Sequence, residues 1–334
     1  MPGGLIIADR RILPGEKCQL DIPVASLYTN TDVSIPVYVQ KAKRKGPTVF
    51  VSAAIHGDEL NGIEVIQRLI KANLSIIRGT IILVPMVNVY GVLNQSRYLP
   101  DRRDLNRSFP GSAKGSLAAR LAHTFMTNIV NQCDVGIDMH TGAIHRSNFP
   151  QIRANLEDEQ TLELAKAFEV PVLLNASLRD GSLRGEAIEH KIPVLIYEAG
   201  EALRHDELSI QAGYRGVINV LMHLGLMRRS RRRRRIDPFV ANKSEWIRAP
   251  GSGFVNEFVK LGEQVEKGQV LAEINSPLGE LIQHVVSTRS GIIIGKQNIP
   301  LVQEGDAMFH IGYFGKDADE VAGHIEMMRD SLLL

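Results

Sequence analysis

Along the chain, unbroken apolar runs of strand length alternate with stretches whose apolar residues recur every three or four positions. The clearest junction is Thr48 to Glu59, TVFVSAAIHGDE. Thr48, Val49, Phe50 and Val51 are β-branched or aromatic, and the run continues through Ile55, which predicts a strand covered on both faces. Gly57 and Asp58 end it. From Leu60 onward, Ile63, Ile66, Leu69 and Ile70 fall at helical spacing, with Glu59 in the first turn. A strand thus ends at His56 and a helix opens on Glu59. Thr80 to Asn88, Cys133 to Met139 and Ile192 to Gly200 predict further buried strands, and VPVLLNA a shorter one. Ser116 to Val130 is helical by period, and residues 161–169 by composition. Residues 17–40 predict a leading hairpin, its two strands joined by the polar turn Tyr28 to Asp32. Strand, helix, strand in this order implies an α/β fold with a mostly parallel sheet, right-handed crossovers and flanking helices.

Three of the buried strands end in a group able to bind a metal: His56, His140 and Glu198, each with a glycine just beyond. In open α/β sheets the carboxyl ends of the strands border the ligand crevice. Two histidines and one glutamate form the ligand set of a catalytic zinc with a fourth position open to water, and the second carboxylate is then free for proton transfer. Cys18 and Cys133 are the only cysteines and neither lies in a CxxC pair, so a metal falls to histidine and carboxylate. His123, His145, His190 and His223 lack the strand-end placement and read as structural or exposed. Residues 89–115 form a polar loop too long to be a mere connector. It gathers Arg97, Arg102, Arg103 and Arg107. Arg102 and Arg103 read as surface partners of Asp101 and Asp104, whereas the planar guanidinium of Arg107 suits a substrate carboxylate.

Four motifs occur in order: HGDE at His56 to Glu59, DLNRSFPG at Asp104 to Gly111, DMHTG at Asp138 to Gly142 and YEAG at Tyr197 to Gly200. With them, residues 45–225 resemble the succinylglutamate desuccinylase/aspartoacylase family of zinc hydrolases, which is related to carboxypeptidase A. The resemblance implies a zinc-carboxypeptidase-like sheet and one zinc per chain on His56, Glu59 and His140. It implies that Glu198 is general base and acid, and that Asn106 and Arg107 hold a substrate carboxylate. The family's carbonyl-polarising arginine precedes the DLNR motif, which points to Arg97 with Arg103 as competitor. Arg184, in GSLRGEAIEH, is the candidate for a further substrate arginine. The activity implied is hydrolysis of the amide bond of an N-acyl amino acid or related small carboxylate; a carboxypeptidase acting on short peptides is the alternative.

Composition adds bounds. At 334 residues, 44% hydrophobic and 23% charged, the chain has material for two globular domains. No apolar run approaches the roughly 20 residues of a membrane helix, and the start MPGGLIIADRR lacks a long apolar segment, so the expectation is a cytoplasmic protein with no membrane partner. The net charge of +2 includes a run of arginines, Arg228, Arg229 and Arg231 to Arg235. It reads as a solvated linker over 228–245; the competing reading from another class is a scaffold that binds nucleic acid, with salt-sensitive affinity. The linker separates a hydrolase domain, 1–227, from a β-sandwich over 246–314, followed by a helical tail at 315–334. The β region carries an internal repeat, VEKG followed by QVLAEI and VQEG followed by DAMFHI, which suggests a two-fold sandwich. It resembles biotinyl and lipoyl carrier domains. The tip where those attach their cofactor reads Asn275 to Gly279 and has no lysine, so the expectation is an unmodified structural or site-capping module. An oligomer is compatible with the pattern.

Overall fold

The computed structural model describes residues 4–176, 179–228, 238–241, 243–314 and 323. The leading hairpin is β1 (Lys17–Ser26) and β2 (Asp32–Lys41), antiparallel along their length. β3 (Thr48–Ala53) leads into α1 (Asn61–Lys71), and β4 (Thr80–Val84) follows. Then come α2 (Leu117–Asn128), β5 (Val135–Gly142), β6 (Arg146–Ala154), α3 (Glu159–Phe168), β7 (Val172–Asn175), α4 (Leu183–Glu189), β8 (Val194–Glu201) and α5 (Glu207–His223). β4, β3, β5 and β8 lie side by side and parallel, as strand–helix alternation predicts. β2 and β1 extend the sheet antiparallel at one edge, and β6 pairs antiparallel with β8 at the other.

The pleat of β3 explains why its whole run is apolar. Val49, Val51 and Ala53 enter a core with α1, α3 and α5, whereas Phe50 enters a second core with α2 and α4. Each face is therefore covered, and each strand must be apolar on both sides.

Three elements go beyond the pattern-based expectations: β6, α4 and α5. β6 presents Arg146, Asn148 and Arg153 to a cleft and includes Pro150, so its alternation reads as loop. α5 buries Ile210, Val217, Val220 and Leu221, but Gly213 and Gly216 interrupt the stripe. β4 stops at Val84, ahead of Pro85, rather than running to Asn88. β5 continues through His140 to Gly142, so the second histidine lies within a strand rather than just past its end. The long polar segment 89–115 contains a short helix at Val89–Leu93 and a single 3-10 turn at Leu105–Arg107.

The carboxyl-terminal strands are β9 (Phe239–Ala241), β10 (Lys243–Arg248), β11 (Gly253–Glu257), β12 (Gln264–Val265), β13 (Val270–Asn275), β14 (Leu281–Val286), β15 (Gly291–Gln297), β16 (Leu301–Val302) and β17 (Ala307–Tyr313). They form two layers around a core that includes Ile247, Val265, Leu271, Ile274, Phe309 and Ile311. One layer, in the order β14-β13-β11-β16, is separate. The other continues the main sheet: β15 pairs with the start of β6, while β7 pairs with the end of β6 and with β9. The two copies of the sequence repeat share a turn geometry, since Gly268 and Gly305 have φ of +84° and +88° before β13 and β17. Of the arginine run, Arg229 and Arg231 to Arg235 lie outside the described residues, as does the tail apart from Gly323. No described helix is long and apolar enough to cross a membrane.

Candidate active site

His56, Glu59 and His140 converge beside the carboxyl ends of β3 and β5. The turn from His56 to Glu59 is pressed onto the short helix at Val89–Leu93. A Cβ on Gly57 would stand 1.9 Å from the Gly91 carbonyl carbon, so only glycine fits between the two side chains. Glu59 Oε1 lies 2.8 Å from His56 Nδ1 and Glu59 Oε2 lies 2.7 Å from His140 Nδ1. The backbone N–H of Thr141 donates to the same Oε2. One ligand atom from each of the three residues falls within 4.8 Å of the others, and all three residues are buried.

Each imidazole presents Nδ1 to the common point and turns Nε2 toward a carboxylate. Asp104 Oδ1 lies 3.2 Å from His56 Nε2, and Asp138 Oδ2 lies 2.7 Å from His140 Nε2. Ser52 donates to the other oxygen of Asp138 at 2.7 Å. A carboxylate behind a histidine fixes its tautomer and raises its basicity, the usual support for a metal ligand. Burial works against charge on Glu59, but the two histidines hold its carboxyl well below the ordinary range. Burial likewise opposes an imidazolium at His140, and Asp138 and Glu59 outweigh it, raising the pKa. A divalent cation in place of the protons shared with Glu59 would take up both Nδ1 lone pairs and the same carboxylate, so the donor set fits a metal.

Around this cluster opens a cleft of about 550 Å³, in the range of small-molecule sites. Of the residues singled out from sequence, His56, Glu59, His140, Arg97, Asn106, Arg107, Arg184 and Glu198 all line it. β8 and β5 set Glu198 directly beside His140 in register. Arg97 donates to Asp104 Oδ2 at 3.0 Å and lies 3.2 Å from His56 Nδ1. Arg103, by contrast, is absent from the lining; its side chain is 63% exposed and lies 3.9 Å from Asp101. Asn106 accepts the Leu183 N–H at 2.9 Å, which ties the arginine loop to the start of α4 and hence to Arg184. Burial, with Arg153 and Arg179 nearby, pushes Arg184 down to about 10.

Asp104, expected from sequence as a surface partner of Arg102 and Arg103, instead pairs with Arg97 and His56, and sequence reasoning assigned no role to Asp138, Asn148, Arg153, Trp246 or His310. Asp138 was legible in principle: residues two apart on a strand share a face, so Asp138 must stand beside His140. The others needed the topology. Trp246 and His310 come from the carboxyl-terminal strands, face each other across β10 and β17, and stack with ring centroids 4.7 Å apart at 7°. The Arg146 guanidinium lies 5.5 Å from the centre of the indole.

His310 yields a pH prediction. Burial, aided by Arg153, pushes it down to about 3, so it stays neutral in the folded protein. Between about pH 6.5 and 3 the unfolded chain binds a proton that the folded chain does not, so the contribution is full above 6.5 and is lost as pH falls. Stability of the parent should therefore drop by roughly 2 kcal/mol more than that of His310→Phe between pH 7 and 4.5. Denaturant midpoints at the two pH values check this; parallel losses in both proteins would contradict it.

Fold and site together define a class: an α/β protein with a large mixed sheet flanked by helices and a buried His-Glu-His cluster at the carboxyl ends of its parallel strands. The chain belongs to the succinylglutamate desuccinylase/aspartoacylase family, since the model of the Succinylglutamate desuccinylase/Aspartoacylase catalytic domain matches residues 45–224. It is 29% identical over 290 residues to N-alpha-acetyl-L-2,4-diaminobutyric acid deacetylase of Halomonas elongata, covering 83% of this chain and 84% of that one. Its fold matches a succinylglutamate desuccinylase from a Silicibacter species with a TM-score of 0.79 at 24% identity, over 90% of this chain and 97% of that one. The product-bound ectoine utilization protein EutE of Ruegeria pomeroyi superposes with a TM-score of 0.77 at 25% identity, over 90% and 97% of the two chains.

Proposed function

We propose that the protein is a zinc-dependent deacylase that hydrolyses the amide bond of a small N-acyl amino acid. The observation that carries this reading is the placement of Glu198 one strand away from a buried His-Glu-His cluster, on the wall of an arginine-lined cleft. A family of N-acyl amino acid deacylases supports it.

In this reading His56, Glu59 and His140 would hold the zinc. When bound, it acidifies a water toward a pKa of about 7 and polarises the scissile carbonyl. Glu198 accepts the attacking water's proton and returns it to the departing amine. Arg97 donates to the carbonyl oxygen as negative charge develops there. Arg107 and Arg184, with Asn106, hold the substrate carboxylate, and bidentate pairing fixes its orientation. Ser244, Trp246 and His310 border the cleft from the carboxyl-terminal strands, which favours a short substrate over an extended peptide.

A panel tests this directly: Nα-acetyl-L-2,4-diaminobutyrate, N-succinyl-L-glutamate and N-acetyl-L-aspartate against dipeptides and tripeptides with free carboxyl ends. Turnover confined to N-acyl amino acids is the expected result, and preferential release of carboxyl-terminal residues from peptides would replace the proposal with the carboxypeptidase reading. The carboxylates behind the histidines add a second prediction. Asp138→Asn should weaken zinc binding about 10- to 100-fold, as measured by competition with a chromophoric chelator. Parental affinity would show that Asp138 does not orient His140.

A further inference from the structure

β6 brings a neutral amide to Glu198, the carboxylate that, among the described residues lining the cleft, stands outside the His56, Glu59 and His140 cluster. Asn148 is buried, 7% exposed, and its Nδ2 donates to Glu198 Oε2 at 2.6 Å. The other oxygen of Glu198 faces Arg153 Nε at 3.7 Å. Space for the amide is made from the carboxyl-terminal region. Gly295 on β15 pairs in register with Asn148, and a Cβ there would stand 3.0 Å from Asn148 Oδ1 and 3.2 Å from the His310 Cβ.

We propose that Asn148 is a positioning residue that fixes the Glu198 carboxylate for proton transfer, and that Gly295 leaves the room in which it does so. The proposal rests on the reading of Glu198 as general base and acid. Its chemistry follows from the donor inventory. The terminal torsion of a glutamate is soft, so the Asn148 hydrogen bond to Oε2 decides which oxygen faces the substrate, Arg153 Nε standing beyond hydrogen-bond distance from Oε1. An amide N–H can only donate, so Oε2 is engaged as an acceptor, and a hydrogen bond to an ionised group is the strong kind. Oε1 then takes the proton from the attacking water and later gives it to the amine nitrogen, with Asn148 unchanged throughout. Aspartate at position 148 would reverse this arrangement. Two carboxylates at that distance share a proton, and the pair then ionises fully only at higher pH.

The test compares Asn148→Ala, Asn148→Asp, Gly295→Ala and Glu198→Gln as zinc-loaded full-length proteins, with circular dichroism and thermal midpoints to confirm folding. Nα-acetyl-L-2,4-diaminobutyrate serves as substrate. Asn148→Ala should lower kcat on the order of 10- to 100-fold with KM changed little, the scale of loss from a misplaced reacting group. Asn148→Asp should move the acidic limb of the pH–kcat profile to higher pH, and Gly295→Ala should lower kcat in the same direction without touching substrate. A readout that needs no turnover accompanies these: in 15N-labelled parent protein the Asn148 side-chain amide should resonate downfield of ordinary asparagine amides, and move back in Glu198→Gln and Gly295→Ala. Parental kcat and pH profile in both Asn148 variants beside an inactive Glu198→Gln would overturn the positioning role and leave the base intact. An ordinary Asn148 amide signal, unmoved by Glu198→Gln, would overturn it as well. Parental activity in Glu198→Gln would instead remove the reading on which the proposal rests.

Discussion

Replacing Glu198 with glutamine should lower kcat by about 100- to 10,000-fold while the protein remains folded and retains its metal. The substitution keeps the shape of the side chain, and the strand position that sets it beside His140 is unaffected. What it removes is the capacity to accept and return a proton. Glu198 is separate from the three residues whose ligand atoms cluster, so metal content should stay at the parental value. The substrate's KM should change little, because the substitution leaves Asn106, Arg107 and Arg184, the residues proposed to hold the substrate carboxylate, in place. Steady-state kinetics with elemental analysis of the same sample read both parts. A variant that loses metal along with activity would make Glu198 a ligand, and one that keeps kcat would leave the proton to another group.

Arg97→Ala should cost on the order of 100- to 1000-fold in kcat, the usual effect of deleting one oxyanion donor. Arg103→Ala should stay within about twofold, as a surface substitution does. The contrast follows from position. Arg97 is 30% exposed, hydrogen-bonded to Asp104 and adjacent to His56, so its guanidinium is held at the edge of the His56, Glu59 and His140 cluster. Burial disfavours its charge, but Glu59 and Asp104 more than offset that and keep it protonated. Arg103 points to solvent. Comparable losses in the two variants would remove Arg97 from the transition state and leave its role as a clamp on Asp104.

The parts legible in sequence were those that packing makes periodic. β3 must be apolar on both faces because helices cover both, so its run could be read without knowing the fold. The pairing of His56 with Glu59 was legible because a strand end and a helix start are both marked by the residues around them. β6 was not legible for the opposite reason. It faces the cleft with polar side chains, and a strand lining a polar site loses the alternation that signals a strand. Arg153 and Asn148 went unnoticed with it. Trp246 and His310 were hidden by topology: they reach the site only because β15 and β17 extend the main sheet beyond β6. The choice between Arg97 and Arg103 also needed coordinates, since both precede the same motif and only one turns inward.

Metal content tests whether His56, Glu59 and His140 hold a catalytic zinc. Purified parent, His56→Ala and His140→Ala would be incubated with zinc, dialysed together and assayed by elemental analysis. One zinc per chain is expected in the parent and none in either variant. No metal in the parent, or equal metal in all three proteins, would contradict it.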